Sequence, residues 1–214
     1  MLKIKQFVFN PFDENTYLIV DNDTLKAAVV DPGMFTDRDL LVFDDFIRLN
    51  KIKLVQVINT HMHVDHCFGD NYVRDKYGVK VSAHLGDDFY AAAMEQQAAR
   101  FGMVRHMKPV MIDCPLDDGD TIIIGRSTIH VLHVPGHSPG GIALYDKEDG
   151  WVITGDSLFR GSIGRTDFEG GSMSQLINAA RTKLLTLPDD TVVYPGHGPS
   201  TTVGQEKKSN PYLQ

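Results

Sequence analysis

Apolar residues open the chain in short blocks, Lys3 to Phe9, Tyr17 to Asp21 and Ala27 to Val30, followed by turn formers at Asn10-Pro11 and Asp31-Pro32-Gly33. Blocks of this length, bounded by Asn, Pro and Gly, read as strands joined by tight turns, so a β-meander is expected. The period then changes. Thr36 or Asp37 caps an amphipathic helix reaching about Asn50, with Leu40, Leu41, Phe43, Ile47 and Leu49 as its apolar positions. Leu54 to Asn59 reads as a buried strand, a helix runs from about Asp70 to its stop at Gly78, and Val79 to Ala83 returns as a strand. That alternation is βαβ.

The stretch from Asp87 to Met107 carries a helical pattern containing Met94, Met103 and Met107, and Pro109, Pro115 and Asp117-Asp118-Gly119 then mark an irregular return. It fits either a helix packed on the body, since Met-rich faces are usually core, or a segment covering a site. Thr121 to Ile124 and Ser127 to Val134 flank Gly125-Arg126 as a hairpin, and strands follow at Gly141 to Asp146 and Trp151 to Thr154. Ser172 caps a helix to about Leu187, and Thr191 to Tyr194 is the last strand. The 214 residues are expected to form one α/β domain, residues 1–214.

The net charge of -7, with no stripe of Lys and Arg, argues against nucleic acid as a partner. No apolar run approaches the roughly eighteen residues of a membrane span, so no membrane partner is expected. Cys67 and Cys114 cannot build a disulfide framework, and Met1-Leu2-Lys3-Ile4-Lys5 lacks the apolar stretch of a signal peptide. A reducing cytoplasm is the expected location.

Chemistry concentrates at the ends of the strands. Thr60-His61-Met62-His63-Val64-Asp65-His66 leaves the strand that ends at Asn59, and imidazole and carboxylate are the ligands that suit zinc and similar divalent ions. If the segment turns tightly, His61 and His63 point one way and Asp65 and His66 another, so that one turn serves two ions. Val134-Pro135-Gly136-His137 and Tyr194-Pro195-Gly196-His197 repeat one device: proline ends the ladder, glycine turns the chain, and a histidine is presented. Gly155-Asp156-Ser157 offers a carboxylate after another strand. Singly, each of these is a turn cap or loop histidine; seven together point to metal. His84, His106, His130 and His133 are read as structural, and Cys67 as a packed thiol beside the turn.

These seven positions resemble the signature of the metallo-β-lactamase fold superfamily, His-x-His-x-Asp-His followed by a later His, an Asp and a final His. The resemblance covers essentially the whole chain. It implies a four-layered αβ/βα sandwich of two mixed sheets flanked by helices, with His61, His63 and His137 holding one ion, Asp65, His66 and His197 the other, and Asp156 bridging them. Gly155-Asp156-Ser157-Leu158-Phe159, Gly164-Arg165-Thr166-Asp167-Phe168, Gly196-His197-Gly198-Pro199 and the run from Glu206 to Asn210-Pro211 resemble the glyoxalase II group. There Arg165 would contact the thiol-bearing half of the substrate; otherwise it is an ion-pair partner of Asp167 or Glu169. With no C-terminal helical extension after His197, the chain looks like the compact bacterial relatives, in which the segment from Asp87 to Met107 shapes the pocket.

The expected activity is hydrolysis of an acyl thioester of the S-2-hydroxyacylglutathione type by a metal-bridging hydroxide, with Asp65 aiming the nucleophile and Asp156 holding the pair of ions. Zinc is the expected metal, with iron or manganese as alternatives. A thiol leaves as thiolate without a general acid, which favours a thioester over an amide. The chief alternative is a persulfide dioxygenase of the same superfamily, sharing the Gly-Arg-Thr-Asp-Phe stretch and using one iron on His61, His137 and Asp156. Another small-molecule metallohydrolase is the remaining option.

Overall fold

The computed structural model describes residues 1–103 and 106–214. Two six-stranded sheets face each other. The first has the order β1-β2-β3-β4-β5-β6, with β1 (Leu2–Phe9), β2 (Glu14–Asp21), β3 (Lys26–Val30), β4 (Lys53–Ile58), β5 (Lys80–Ala83) and β6 (Cys114–Pro115). The second has the order β12-β11-β10-β9-β8-β7, built from β7 (Thr121–Ile124), β8 (Ser127–His133), β9 (Ile142–Asp146), β10 (Trp151–Gly155), β11 (Val192–Pro195) and β12 (Thr201–Thr202).

Every residue of β2 is buried, because both of its faces are covered. Tyr17 and Ile19 point between the sheets, with Ala28 and Val30 of β3 and Ile142, Leu144 and Ile153 of the second sheet. Leu18 and Val20 point the other way, into a core closed by Phe43 and Ile47 of α1 (Asp37–Leu49) and Val73 of α3 (Asp70–Tyr77). On the far side, Ala143, Val152 and Val193 pack under Leu176 and Ala179 of α6 (Met173–Ala179), with Val203 of α7 (Val203–Ser209). The period of two in the strands therefore generates the helix, sheet, sheet, helix order that the resemblance implied.

Thr36 is the cap of α1: its hydroxyl accepts from Asp39 N while the Asp39 carboxylate accepts from Thr36 N, a capping box. Leu41 and Leu49, predicted as apolar-face residues, are exposed, and Phe43 and Ile47 carry the packing. The helix predicted from Asp87 to Met107 is two pieces, α4 (Asp88–Ala92) and α5 (Met94–Arg100), separated at Ala93, and Gly102 adopts a left-handed conformation just beyond. Val104 and Arg105 of that range lie outside the described residues. Tyr90, Ala91, Met94 and Ala98 join the core of the first sheet, so this segment is packed. The helix capped by Ser172 ends in a π-helical turn over Ala180–Leu184. β12 and α7 were not anticipated. Within them Glu206 accepts from Thr201 Oγ1 at 2.7 Å, Gly161 N at 2.9 Å and Asn210 Nδ2 at 2.8 Å, tying the C-terminal segment to the loop after Asp156. Among the described residues no helix is long and apolar enough to cross a membrane.

The topology decides where the site lies. β3 and β4 are parallel, β10 and β11 are parallel, and two antiparallel steps give β8 the direction of β10. The carboxyl ends of β3 and β4, and of β8, β10 and β11, thus open on one edge, where the sheets are stitched by Asn15 N to Gly196 O at 2.8 Å and Ile142 N to Thr60 O at 2.8 Å.

Candidate metal centre

After β4 the chain makes the turn Asn59 to His63 and enters a single helical turn, α2 (Val64–Cys67). His61, His63 and His137 bring one nitrogen each into a common group, and Asp65, His66 and His197 form a second. His63 Nδ1 and His137 Nε2 are 2.8 Å apart. In the second group His197 Nε2 lies 3.2 Å and His66 Nε2 3.7 Å from Asp65 Oδ2. Asp156 stands between the groups, its Oδ1 3.5 Å from His66 Nε2 and its Oδ2 3.5 Å from His137 Nε2 and 3.7 Å from His197 Nε2. All seven sequence-predicted ligands thus meet. His84, His106, His130 and His133 belong to no such cluster among the described residues; His84 stacks on His133, and His106 faces Glu95.

The two Pro-Gly-His turns use glycine for different reasons. Gly136 has φ +133°, and a Cβ there would lie 2.3 Å from Leu176 N. Gly196 makes room for the site itself, since its Cβ would lie 2.3 Å from Asp156 Oδ1 and 2.7 Å from His66 Cε1.

Hydrogen bonds on the outer nitrogens set the tautomers. The Thr60 hydroxyl donates its one proton to Asp31 Oδ2 at 2.6 Å, so its oxygen is left to accept from His61 Nδ1 at 3.1 Å. His66 Nδ1 donates to Asp31 Oδ2 at 3.1 Å, His137 Nδ1 to the Arg165 carbonyl at 2.7 Å, and His197 Nδ1 to the Phe12 carbonyl at 3.0 Å. In their neutral forms these four histidines therefore direct Nε2 lone pairs inward. Burial, with the neighbouring imidazoles adding to it, pushes His61 and His63 well below the usual histidine range, which keeps them neutral and ligand-competent. Burial works against the Asp65 carboxylate, but His66 and the hydrogen bond from His197 outweigh it and hold Asp65 below the ordinary range. His66 and His197 shift upward, because the surrounding carboxylates overcome their burial.

The residues fit divalent cations. His61 Nε2, His66 Nε2 and Asp156 Oδ1 are buried and hydrogen-bond to nothing among the described residues, at the point where the two groups meet. Unsatisfied buried polar atoms cost about 1–3 kcal/mol each, and coordination is what removes that cost for a set of imidazole nitrogens and carboxylate oxygens.

Asp31, Gln97 and Asp87 support the site and escaped the sequence reading. Asp31, read only as part of a turn, is fully buried with φ +50° and accepts from Thr60 N at 2.6 Å as well as from the two side chains above. Its position right after a strand, like the ligands, was the available signal. Gln97 of α5 straddles His63: its Oε1 accepts from Val64 N at 3.2 Å, and its Nε2 donates to Met62 O at 3.1 Å and Tyr90 O at 2.8 Å. Asp87 accepts from Met62 N, Ser138 Oγ and Gly140 N, joining the His63 turn to the His137 loop. Nothing in the sequence singled out these last two.

A cavity of about 370 Å³ opens over the cluster. His63, Asp65, His137, Asp156 and His197 face it, with walls of Phe12, Tyr90, Phe101, Phe159 and Phe168 and two cations, Arg100 and Arg165. Arg165 makes a fork with Asp167, Nε to Oδ1 at 2.7 Å and Nη2 to Oδ2 at 2.6 Å, and lies 4.2 Å over the Phe168 ring. It therefore both lines the cavity and forms the expected ion pair. Cys67 is buried, its thiol pushed up by burial.

The profile of the metallo-beta-lactamase superfamily matches residues 9–197. The chain is 37% identical over 209 residues to a Haemophilus influenzae protein named hydroxyacylglutathione hydrolase GloC, covering 94% of this chain and 93% of that one. Among solved structures it is similar to the B3 metallo-beta-lactamase BLEG-1, at 32% identity and TM-score 0.86 over 99% of this chain and 100% of the other. It is equally similar to TTHA1623 in a di-iron-bound form, at 32% identity and TM-score 0.86 over 98% and 100% of the two chains. With the matched region running from β1 to the last of the clustered histidines, the chain belongs to the metallo-beta-lactamase superfamily of metallo-hydrolases.

Proposed function

We propose that the protein hydrolyses acyl thioesters of the S-2-hydroxyacylglutathione type at a binuclear metal site made by His61, His63, Asp65, His66, His137, Asp156 and His197. The observation that carries this is the make-up of the cavity: two ligand groups joined by Asp156 face it, and no serine, threonine or cysteine side chain lines it among the described residues. Water is then the nucleophile. When bound, two divalent cations, zinc in this proposal with iron or manganese as substitutes, lower the pKa of a coordinated water to about 7 and polarise a carbonyl.

The protein's own groups do the rest. Asp65, held ionised, accepts a hydrogen bond from the attacking water and aims it at the acyl carbon. Asp156 fixes the spacing of the two ligand groups, and the hydrogen bonds from Nδ1 of His66, His137 and His197 stop those rings from turning. The aromatic walls exclude bulk water from a place where charge builds up only during reaction.

The leaving group follows from what is missing from the walls. Tyr90 is the one phenol among the described lining residues, but its hydroxyl donates to Glu169 O at 2.6 Å and burial pushes it up to about 12. An amine would need a proton delivered to leave, whereas a thiol, with a pKa near 8.5, departs as thiolate. The likeness to a protein named hydroxyacylglutathione hydrolase supports the same substrate class. Arg165, at the cavity wall, contacts the thiol-bearing half. The test is release of free thiol from S-lactoylglutathione by zinc-loaded protein, suppressed by a chelator and restored by the metal. A fully loaded protein that releases no thiol from this or simpler acyl thioesters overturns the proposal.

A further inference from the structure

Two guanidinium groups line the cavity, and they are not equivalent. Arg165 is spoken for, since Asp167 takes two of its N–H groups in a fork. Arg100, in the last turn of α5, has no ion-pair partner among the described residues, and Glu95 on the same helix faces His106 instead. Arg100 is exposed and lines the cavity with no carboxylate among the described residues to hold it, so its guanidinium is free to meet a ligand there.

The placement of Arg100 is fixed from below. Gln97, one turn earlier, hydrogen-bonds to Met62 O and Val64 N on either side of His63, so α5 is held in register with the ligand turn. The next turn of that helix then delivers Arg100 and Phe101. Phe101 meets Phe12 edge-on at 5.2 Å and Phe168 at 6.4 Å, and Phe168 reaches His63 at 5.0 Å. An apolar aromatic row thus leads from the arginine at the mouth to the ligands on the floor.

We propose that Arg100 is a specificity-determining residue, binding a carboxylate that the substrate carries at the far end of an apolar arm lying along Phe101 and Phe168. This rests on the thioesterase function proposed above. Arginine suits the task because its planar fork takes both carboxylate oxygens at once, and the aromatic row rewards an arm without polar atoms of its own. The carboxylate sits on the acyl half or on the thiol carrier, and the test below separates the two.

Binding of non-hydrolysable thioethers to zinc-loaded protein, followed by calorimetry, reads this directly. One pair is the 4-carboxybenzyl thioether of N-acetylcysteamine and its carboxamide, with the charge on the acyl side. The other is the benzyl thioether of 6-mercaptohexanoic acid and its carboxamide, with the charge on the thiol side. In one pair the carboxylate binds about tenfold tighter than its carboxamide, the scale of a charge-assisted contact near a surface. That ratio falls to near one in Arg100→Gln and persists in Arg165→Gln. Equal binding within both pairs, or a preference that survives Arg100→Gln, overturns the assignment. Failure of the thioesterase function is a separate result: the matching thioesters release no thiol while the carboxylate preference stands.

Discussion

The Asp156 carboxylate reaches both ligand groups, with Oδ1 3.5 Å from His66 Nε2 and Oδ2 3.5 Å from His137 Nε2. Its Oδ1 is buried without a hydrogen-bond partner among the described residues, and its oxygens face only histidines of the cluster. Asp156→Ala is expected to leave the circular dichroism spectrum unchanged while bound metal falls below two ions per chain. Turnover falls by more than about a hundredfold, beyond what loss of an outer-shell residue costs. Retention of two ions and of activity would remove the bridging role.

Asp31 acts one layer out. It orients His66 directly and His61 through Thr60. Asn keeps the size and tolerates the positive φ at this position, but its NH₂ cannot accept the proton from His66 Nδ1. Asp31→Asn is therefore expected to weaken the affinity for the ion held by Asp65, His66 and His197 by about 10- to 100-fold. Folding stability falls by about 1–3 kcal/mol, because a buried donor is left unpaired. Titration with a spectroscopically active divalent ion separates the two sites; equal weakening at both would show that Asp31 braces the turn as a whole.

The sandwich was legible because its buried strands carry contiguous apolar runs, as Tyr17 to Val20 of β2 do, and because the ligands follow strands. The exposure of Leu41 and Leu49 was not legible: a helical stripe predicts which side faces inward but not how wide a strip the sheet covers. Nor was the break at Ala93, where α5 changes direction so that Gln97 can meet the backbone around His63. That is a tertiary demand, and no local propensity announces it. Asp31, Asp87 and Gln97 share this property, since each works through partners more than two dozen residues away in the chain.

Asp44 of α1 accepts hydrogen bonds from Tyr72, Tyr77 and Lys76 of α3, the Tyr77 contact at 2.6 Å. Partial burial raises its pKa, but these donors outweigh it and hold the carboxyl below its ordinary value. A carboxyl depressed in the folded state stabilises the protein above its unfolded pKa of about 3.9, and that contribution is lost as pH falls through the lower folded value. Denaturant titrations of the protein and of Asp44→Asn are expected to differ at pH 7 and to converge as pH drops below about 4. A gap that persists or widens on acidification would mean that Asp44 acts by packing rather than by charge.

Gln97 separates positioning from mere packing. Its amide donates to Met62 O and Tyr90 O and accepts from Val64 N, so it fixes the backbone on both sides of His63 and holds α4 against α5. Gln97→Ala leaves two buried backbone groups, Met62 O and Val64 N, without partners, while Tyr90 O keeps its bond from Ala93 N, and a loss of about 1–3 kcal/mol in stability is expected. Gln97→Glu keeps the volume and the acceptor for Val64 N, but its carboxylate meets two carbonyl oxygens where an NH₂ had been. If Gln97 only fills space, the Glu variant binds metal like the native protein. If it sets the His63 turn, the affinity of the site made by His61, His63 and His137 drops by about tenfold or more while the other site is less affected, as for an outer-shell partner. Stability measured on the same samples shows whether the two losses travel together, and a metal affinity that holds while stability falls would reduce Gln97 to packing.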